Sequence, residues 1–169
     1  MALYSNPALL ENVRARFVRC GFTTNTASIG LGGALSILSP AVNLYLYINA
    51  SYVDYDGEAD LNVVNCSFVG NSAPGVGTAG AILAYSNLFV AGSTFVNNTA
   101  RPAVFNAYTS AITGGGAIFA YYAFAVHNST FEGNYGNRGG ALNVGSWPFT
   151  VSQCVFRNNV AGLGGASAL

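Results

Sequence analysis

The chain has no lysine: its six basic residues are all arginine, matched by six acids, so 169 residues carry no net charge. Charged residues make up 7% of the sequence, against about 25% in an ordinary soluble domain. Without clustered cations nothing neutralises phosphates, which excludes a basic nucleic-acid surface, and phosphate-loop chemistry lacks its lysine. One histidine and no Cys-x-x-Cys remove the usual zinc ligand sets. Long unbroken apolar runs are missing as well. Ile29–Ile48 contains Pro40, Asn43 and three glycines, and Leu44-Tyr45-Leu46-Tyr47-Ile48 alternates like a strand rather than a spanning helix. The N-terminal stretch Met1–Arg16 shows no basic segment followed by an apolar one, so no signal peptide is expected in this chain. Disorder is excluded from the other side, because 51% hydrophobic and 13% aromatic content is the reverse of a disordered composition. The length suits one domain with a sizeable core.

What is present is a repeat. Phe-x-x-Asn occurs at Phe22–Asn25, Phe68–Asn71, Phe95–Asn98, Phe131–Asn134 and Phe156–Asn159. After each of these comes a glycine motif: Gly32–Leu35 (GGAL), Ala79–Ile82 (AGAI), Gly115–Ile118 (GGAI), Gly139–Leu142 (GGAL) and Gly164–Ser167 (GGAS). Ala81 to Phe95 and Ala117 to Phe131 are the same distance apart, and Ala141 to Phe156 is one residue longer. Ala8 to Phe22 fits the same phase, with Asn6-Pro7-Ala8-Leu9-Leu10 standing in for the glycine motif. The longer gap from Ala34 to Phe68 reads as a coil carrying an insertion over 40–59. Before each Phe, two apolar positions recur at period-2 spacing: Ala15/Phe17, Leu61/Val63, Leu88/Val90, Phe124/Val126 and Phe149/Val151. Nothing sustains a helical period.

Short strands repeating in this way predict an all-β fold, a right-handed parallel β-helix of about five coils. One domain over 1–169 is expected, with coils near 8–33, 34–80, 81–116, 117–140 and 141–169. Neither end shows a polar cap, so the chain is expected to be an uncapped segment with flanking coils in a longer protein.

Stacking assigns each column a task. Phe22, Phe68, Phe95, Phe131 and Phe156 fill the interior. Asn25, Asn71, Asn98, Asn134 and Asn159 form a ladder at a turn, where asparagine tolerates the left-handed conformation. The glycine pairs allow a bend with positive φ, followed by a small inward alanine. Cys20, Cys66 and Cys154 sit two residues before the repeat Phe, where the other coils have Ser93 and Ser129. The slot therefore takes a small inward side chain, with free thiols expected and a Cys20–Cys66 disulfide as the alternative.

The paired FxxN and GGA-aliphatic motifs, with Cys or Ser two residues before the Phe, resemble the repeats of chlamydial polymorphic outer-membrane proteins. The resemblance covers Ala8 to Leu169. It implies a β-helix of pectin-lyase-like type, a place on the cell surface or outside the cell (the outer membrane in a bacterium), and an adhesive role.

Candidate sites are few. Asp54, Asp56, Glu58 and Asp60 in the insertion read as a solvated acidic loop, with calcium as the alternative. Gly75-x-Gly77-x-x-Gly80 has the form of a dinucleotide fingerprint, but no helix pattern follows, so it reads as a spacer. His127, in the column of Val18, Val64, Ala91 and Ser152, reads as structural rather than as part of a nucleophilic triad. Sequons at Asn49, Asn65, Asn97 and Asn128 permit glycosylation. Tyr85 and Tyr121 share one column and Tyr122 and Trp147 the next, which offers a flat platform to a surface protein or a glycan. No catalytic residue, cofactor or resident metal is assigned. The expected function is a non-enzymatic surface module for adhesion or structure, with a carbohydrate-active β-helix (pectate-lyase-like or glycoside hydrolase) as the alternative.

Overall fold

The computed structural model describes residues 2–4, 14–27, 32–38, 60–73, 79–101, 114–145 and 148–162. All its strands pair in parallel, in four sheets. Sheet one holds Ala2–Tyr4, Leu35–Leu38, Ile82–Ala84, Ile118–Ala120 and Leu142–Val144. Sheet two holds Arg14–Val18, Asp60–Val64, Asn87–Ala91, Phe124–His127 and Phe149–Ser152. Sheet three holds Gly21–Thr23, Ser67–Val69, Thr94–Val96, Thr130–Glu132 and Val155–Arg157. Sheet four holds Ser72–Ala73, Thr99–Ala100, Tyr135–Gly136 and Val160–Ala161. The chain passes through the sheets in turn and advances one strand at each circuit, which is a parallel β-helix. In sheet one, Ala2–Tyr4 pairs with Leu35–Leu38, so this strand opens the first circuit; the phase placed on Ala8 lies outside the described residues.

The interior follows the repeat. Phe22, Phe68, Phe95, Phe131 and Phe156 are mutual register partners. Their rings stack at 4.7, 4.8, 4.8 and 4.9 Å, within 7° of parallel. Leu61, Val63, Leu88, Val90, Phe124 and Val126 point inward from sheet two, and Ala34, Ala81, Ala117 and Ala141 from the glycine motif. Burial of these side chains supplies the main driving force, at about 25 cal/mol per Å² of apolar surface.

The asparagine ladder is hydrogen-bonded throughout. Each Nδ2 donates to the Oδ1 of the next coil, at 2.8, 2.8, 3.0 and 2.9 Å from Asn25 through Asn159. Each backbone N–H donates to that same oxygen at 3.0–3.1 Å. From Asn71 onward, each Nδ2 also donates to the Phe carbonyl of the preceding coil. Asn71, Asn98 and Asn134 are completely buried, and only a carboxamide offers both the donors and the acceptor this position consumes.

Two expectations about backbone conformation are corrected. The ladder asparagines are not left-handed; the residue before each one is. Thr24, Gly70, Asn97, Gly133 and Asn158 have φ of 53–63° and turn the chain from sheet three into sheet four. Arg19, Asn65, Gly92, Asn128 and Gln153, at 46–58°, do the same between sheets two and three. Asparagine and glycine recur at both corners because they adopt this region at least cost. The paired glycines have a different reason. Among the described residues none of them has a positive φ; instead a Cβ at Gly33, Gly80 or Gly116 would stand 2.0 Å from the carbonyl oxygen of Gly80, Gly116 or Gly140 in the next coil. The requirement is close approach between backbones, not a left-handed bend.

The cysteine column is a second ladder. Each thiol or hydroxyl donates to the carbonyl two residues earlier, from Cys20 to Val18, Cys66 to Val64, Ser93 to Ala91, Ser129 to His127 and Cys154 to Ser152. The backbone N–H groups of Cys20, Cys66 and Ser93 donate in turn to the sulfur or oxygen of the next coil, at 3.4, 3.1 and 3.1 Å. The slot needs a side chain that donates and accepts at one atom, which Ser and Cys share. All three cysteines are free thiols.

Candidate functional site

The ladders occupy the interior, so ligand chemistry has to come from outward positions and corners. The corner from sheet one into sheet two carries the aromatic candidates. Tyr121 follows Ala120, whose register partner is Ala84, and this sets Tyr121 above Tyr85. Their rings stack at 5.2 Å, and Tyr122 meets Tyr121 edge-on at 5.3 Å. Phe119 lies beneath, 5.9 Å from Tyr85 and 6.4 Å from Tyr121. Tyr121 is 43% exposed and Tyr122 39%. Tyr85 is half-buried, and burial, then the neighbouring phenols of Tyr121 and Tyr122, pushes its hydroxyl above the ordinary value. A Cβ at Gly145 would come 3.0 Å from the Tyr121 ring, so the glycine above leaves that ring its room. Three of the four platform residues thus come together; Trp147 lies outside the described residues.

Beside this corner, on the outer face of sheet two, runs a groove of about 440 Å3. Two outward columns flank it. One runs Asp60, Asn87, and the other Arg16, Asn62, Phe89, Ala125, Thr150. Ala123 and Pro148 complete its wall. Asn87 Nδ2 donates to Asp60 Oδ1 at 3.2 Å, joining two coils. Phe89 is 39% exposed in the same face. None of these groove positions except Asp60 stands out in the sequence, because they differ from coil to coil. Aligning outward as well as inward positions of the repeat is what would reveal them.

The other candidates resolve as follows. His127 Nδ1 and Ser152 Oγ are hydrogen-bonded, with Phe89 5.7 Å from the imidazole. Glu132, the described carboxylate besides Asp60, lies on sheet three and pairs with Arg157 at 2.9 Å. Among the described residues, that histidine and serine therefore sit together without an acid behind them. Asp54, Asp56 and Glu58 lie outside the described residues, as do Gly75, Gly77 and Asn49. Asn65, Asn97 and Asn128 are exposed at the left-handed corners.

Four parallel sheets, an interior phenylalanine stack and two polar ladders define a parallel β-helix repeat protein. Residues 92–121, one complete unit with Phe95–Asn98 and Gly115–Ile118, match the family described as the Chlamydia polymorphic membrane protein (Chlamydia_PMP) repeat. No curated protein and no solved structure matches the chain.

Proposed function

We propose that the chain is a cell-surface or extracellular β-helix module whose role is adhesion, with the aromatic corner as its contact for a partner. The observation that carries this reading is the cluster of Tyr85, Tyr121 and Tyr122, two of them more than a third exposed, on a corner held by paired strands on both sides. Exposed tyrosines on a rigid support suit recognition, since they present large contact areas with little entropy to lose. The match of one unit to a repeat of membrane proteins supports the surface location. The carbohydrate-active alternative requires a carboxylate pair flanking one bond. Among the described residues the carboxylates are Asp60 and Glu132, which stand on different sheets, and Glu132 pairs with Arg157; within that part of the molecule this favours binding over cleavage.

The experiment coats beads with the protein and counts their attachment to cells under flow. Replacing Tyr121 and Tyr122 together by Ala is expected to reduce attachment by at least tenfold, equivalent to about 1.4 kcal/mol, with unchanged circular dichroism and melting. Attachment that survives the double substitution, and also Trp147→Ala, refutes the platform.

A further inference from the structure

We infer that the groove on sheet two binds a neutral glycan chain, laid along the helix axis beside the tyrosine corner. The inference rests on reading the module as a ligand-binding surface, and it names the ligand's chemistry.

The lining supplies the two kinds of contact that a sugar requires. Phe89 offers an exposed ring of the type that stacks on the apolar face of a pyranose. Asp60 and Asn87, locked together at 3.2 Å, present a carboxylate beside a carboxamide. Such planar groups, with several acceptor positions and N–H donors at fixed angles, match adjacent hydroxyls on a ring. Ala123, Ala125 and Pro148 are short, which is why space remains above the strands. The volume lies within the range of small-ligand clefts, about 300–1,000 Å3.

Charge and geometry narrow the class. Of the residues lining the groove, Asp60 alone carries a charge, and Arg16 stands one coil away in a flanking column, so the groove offers no cluster of cations to hold an acidic polysaccharide. A peptide adding as a strand is excluded at the centre of this sheet, because Asn87–Ala91 is paired on both sides. Along the axis, equivalent positions recur every ~4.8 Å, close to the length of one sugar ring, so successive rings of a linear chain meet successive coils. The corner tyrosines border the same groove, with Tyr85 two residues before Asn87 and Tyr122 directly before Ala123.

The test is affinity electrophoresis through gels containing mannan, xylan, galactomannan or mixed-linkage glucan, with polygalacturonate as the anionic comparison and gelatin as the protein one. Retardation by at least one neutral polysaccharide is expected. Phe89→Ala and Asn87→Ala should each weaken it about tenfold or more with melting temperature unchanged; Phe89→Leu, which keeps apolar bulk without the ring face, replaces Phe89→Ala if that variant does not fold. No retardation by any neutral polysaccharide overturns the inference. Retardation only by polygalacturonate or gelatin, or binding that survives both substitutions, overturns it equally. Bead attachment that depends on Tyr121 and Tyr122 but not on Phe89 or Asn87 overturns it while the adhesive reading stands. Glycan retardation without any bead attachment to cells supports it and removes the adhesive reading alone.

Discussion

At the scale of single residues, stability depends on side chains whose hydrogen-bonding capacity is fully used. Asn98 donates to Phe68 O and Asn134 Oδ1 and accepts from both N–H groups of Asn71, all in a buried position. Asn98→Ala removes four partners at once and should cost about 3 kcal/mol or more, read from the urea midpoint; Asn25→Ala, exposed at the first rung, should cost clearly less. The thiol ladder predicts the opposite tolerance. Cys66→Ser keeps the donor and acceptor and should change stability by less than about 1 kcal/mol, whereas Cys66→Val, which has neither, should cost about 2 kcal/mol. Burial pushes the Cys66 thiol above its ordinary value. The stability linked to this raised value is complete below about pH 8.5, where the unfolded thiol is still protonated, and is lost as the pH rises toward the folded value. Urea midpoints of the native protein should therefore fall relative to Cys66→Ser from about pH 8.5 upward. Parallel midpoints across that range would contradict the assignment.

At the scale of elements, the corners and the glycine pairs make separable demands. A Cβ at Gly70 meets nothing closer than Thr24 Cγ2 at 3.5 Å, so only its φ of +63° limits it. Gly70→Asn should be nearly neutral and Gly70→Val should cost about 1–2 kcal/mol. Gly116 has the reverse constraint, its Cβ blocked by backbone at 2.0 Å, and Gly116→Ala should cost about 3 kcal/mol or more; equal thermal shifts in Gly70→Asn and Gly116→Ala would dismiss the distinction. The repeat made the strands, the phenylalanine stack and the asparagine ladder legible in advance, because identical residues at one register position leave little freedom about where they point. It misassigned the left-handed positions by one residue, since asparagine and glycine occupy both the ladder and the corner beside it. The groove was invisible for a related reason. Asn62, Phe89, Ala125 and Thr150 share a column without sharing chemistry, so a search for sameness passes over the positions where coils differ. The tyrosine corner was partly legible, because Tyr85 and Tyr121 do repeat.

At the scale of the whole molecule, stability is a sum over neighbouring coils rather than the property of one centre. Phe68, Phe95 and Phe131 are wholly buried, whereas Phe22 and Phe156 are only partly so. Amide exchange should follow this gradient, with Thr94–Val96 and Thr130–Glu132 opening last and Gly21–Thr23 and Val155–Arg157 first. Uniform protection along the stack would indicate a single cooperative unit instead.

The sheets are parallel and stacked coil on coil, so their backbone hydrogen bonds all point along the helix axis. A pull along that axis loads the bonds of all four sheets at one junction together, while successive junctions bear the load in series. Force applied across the axis is carried by the covalent chain of each coil. Such a rod resists shear and bending but parts, under tension, at its weakest junction, and the coils on either side remain intact.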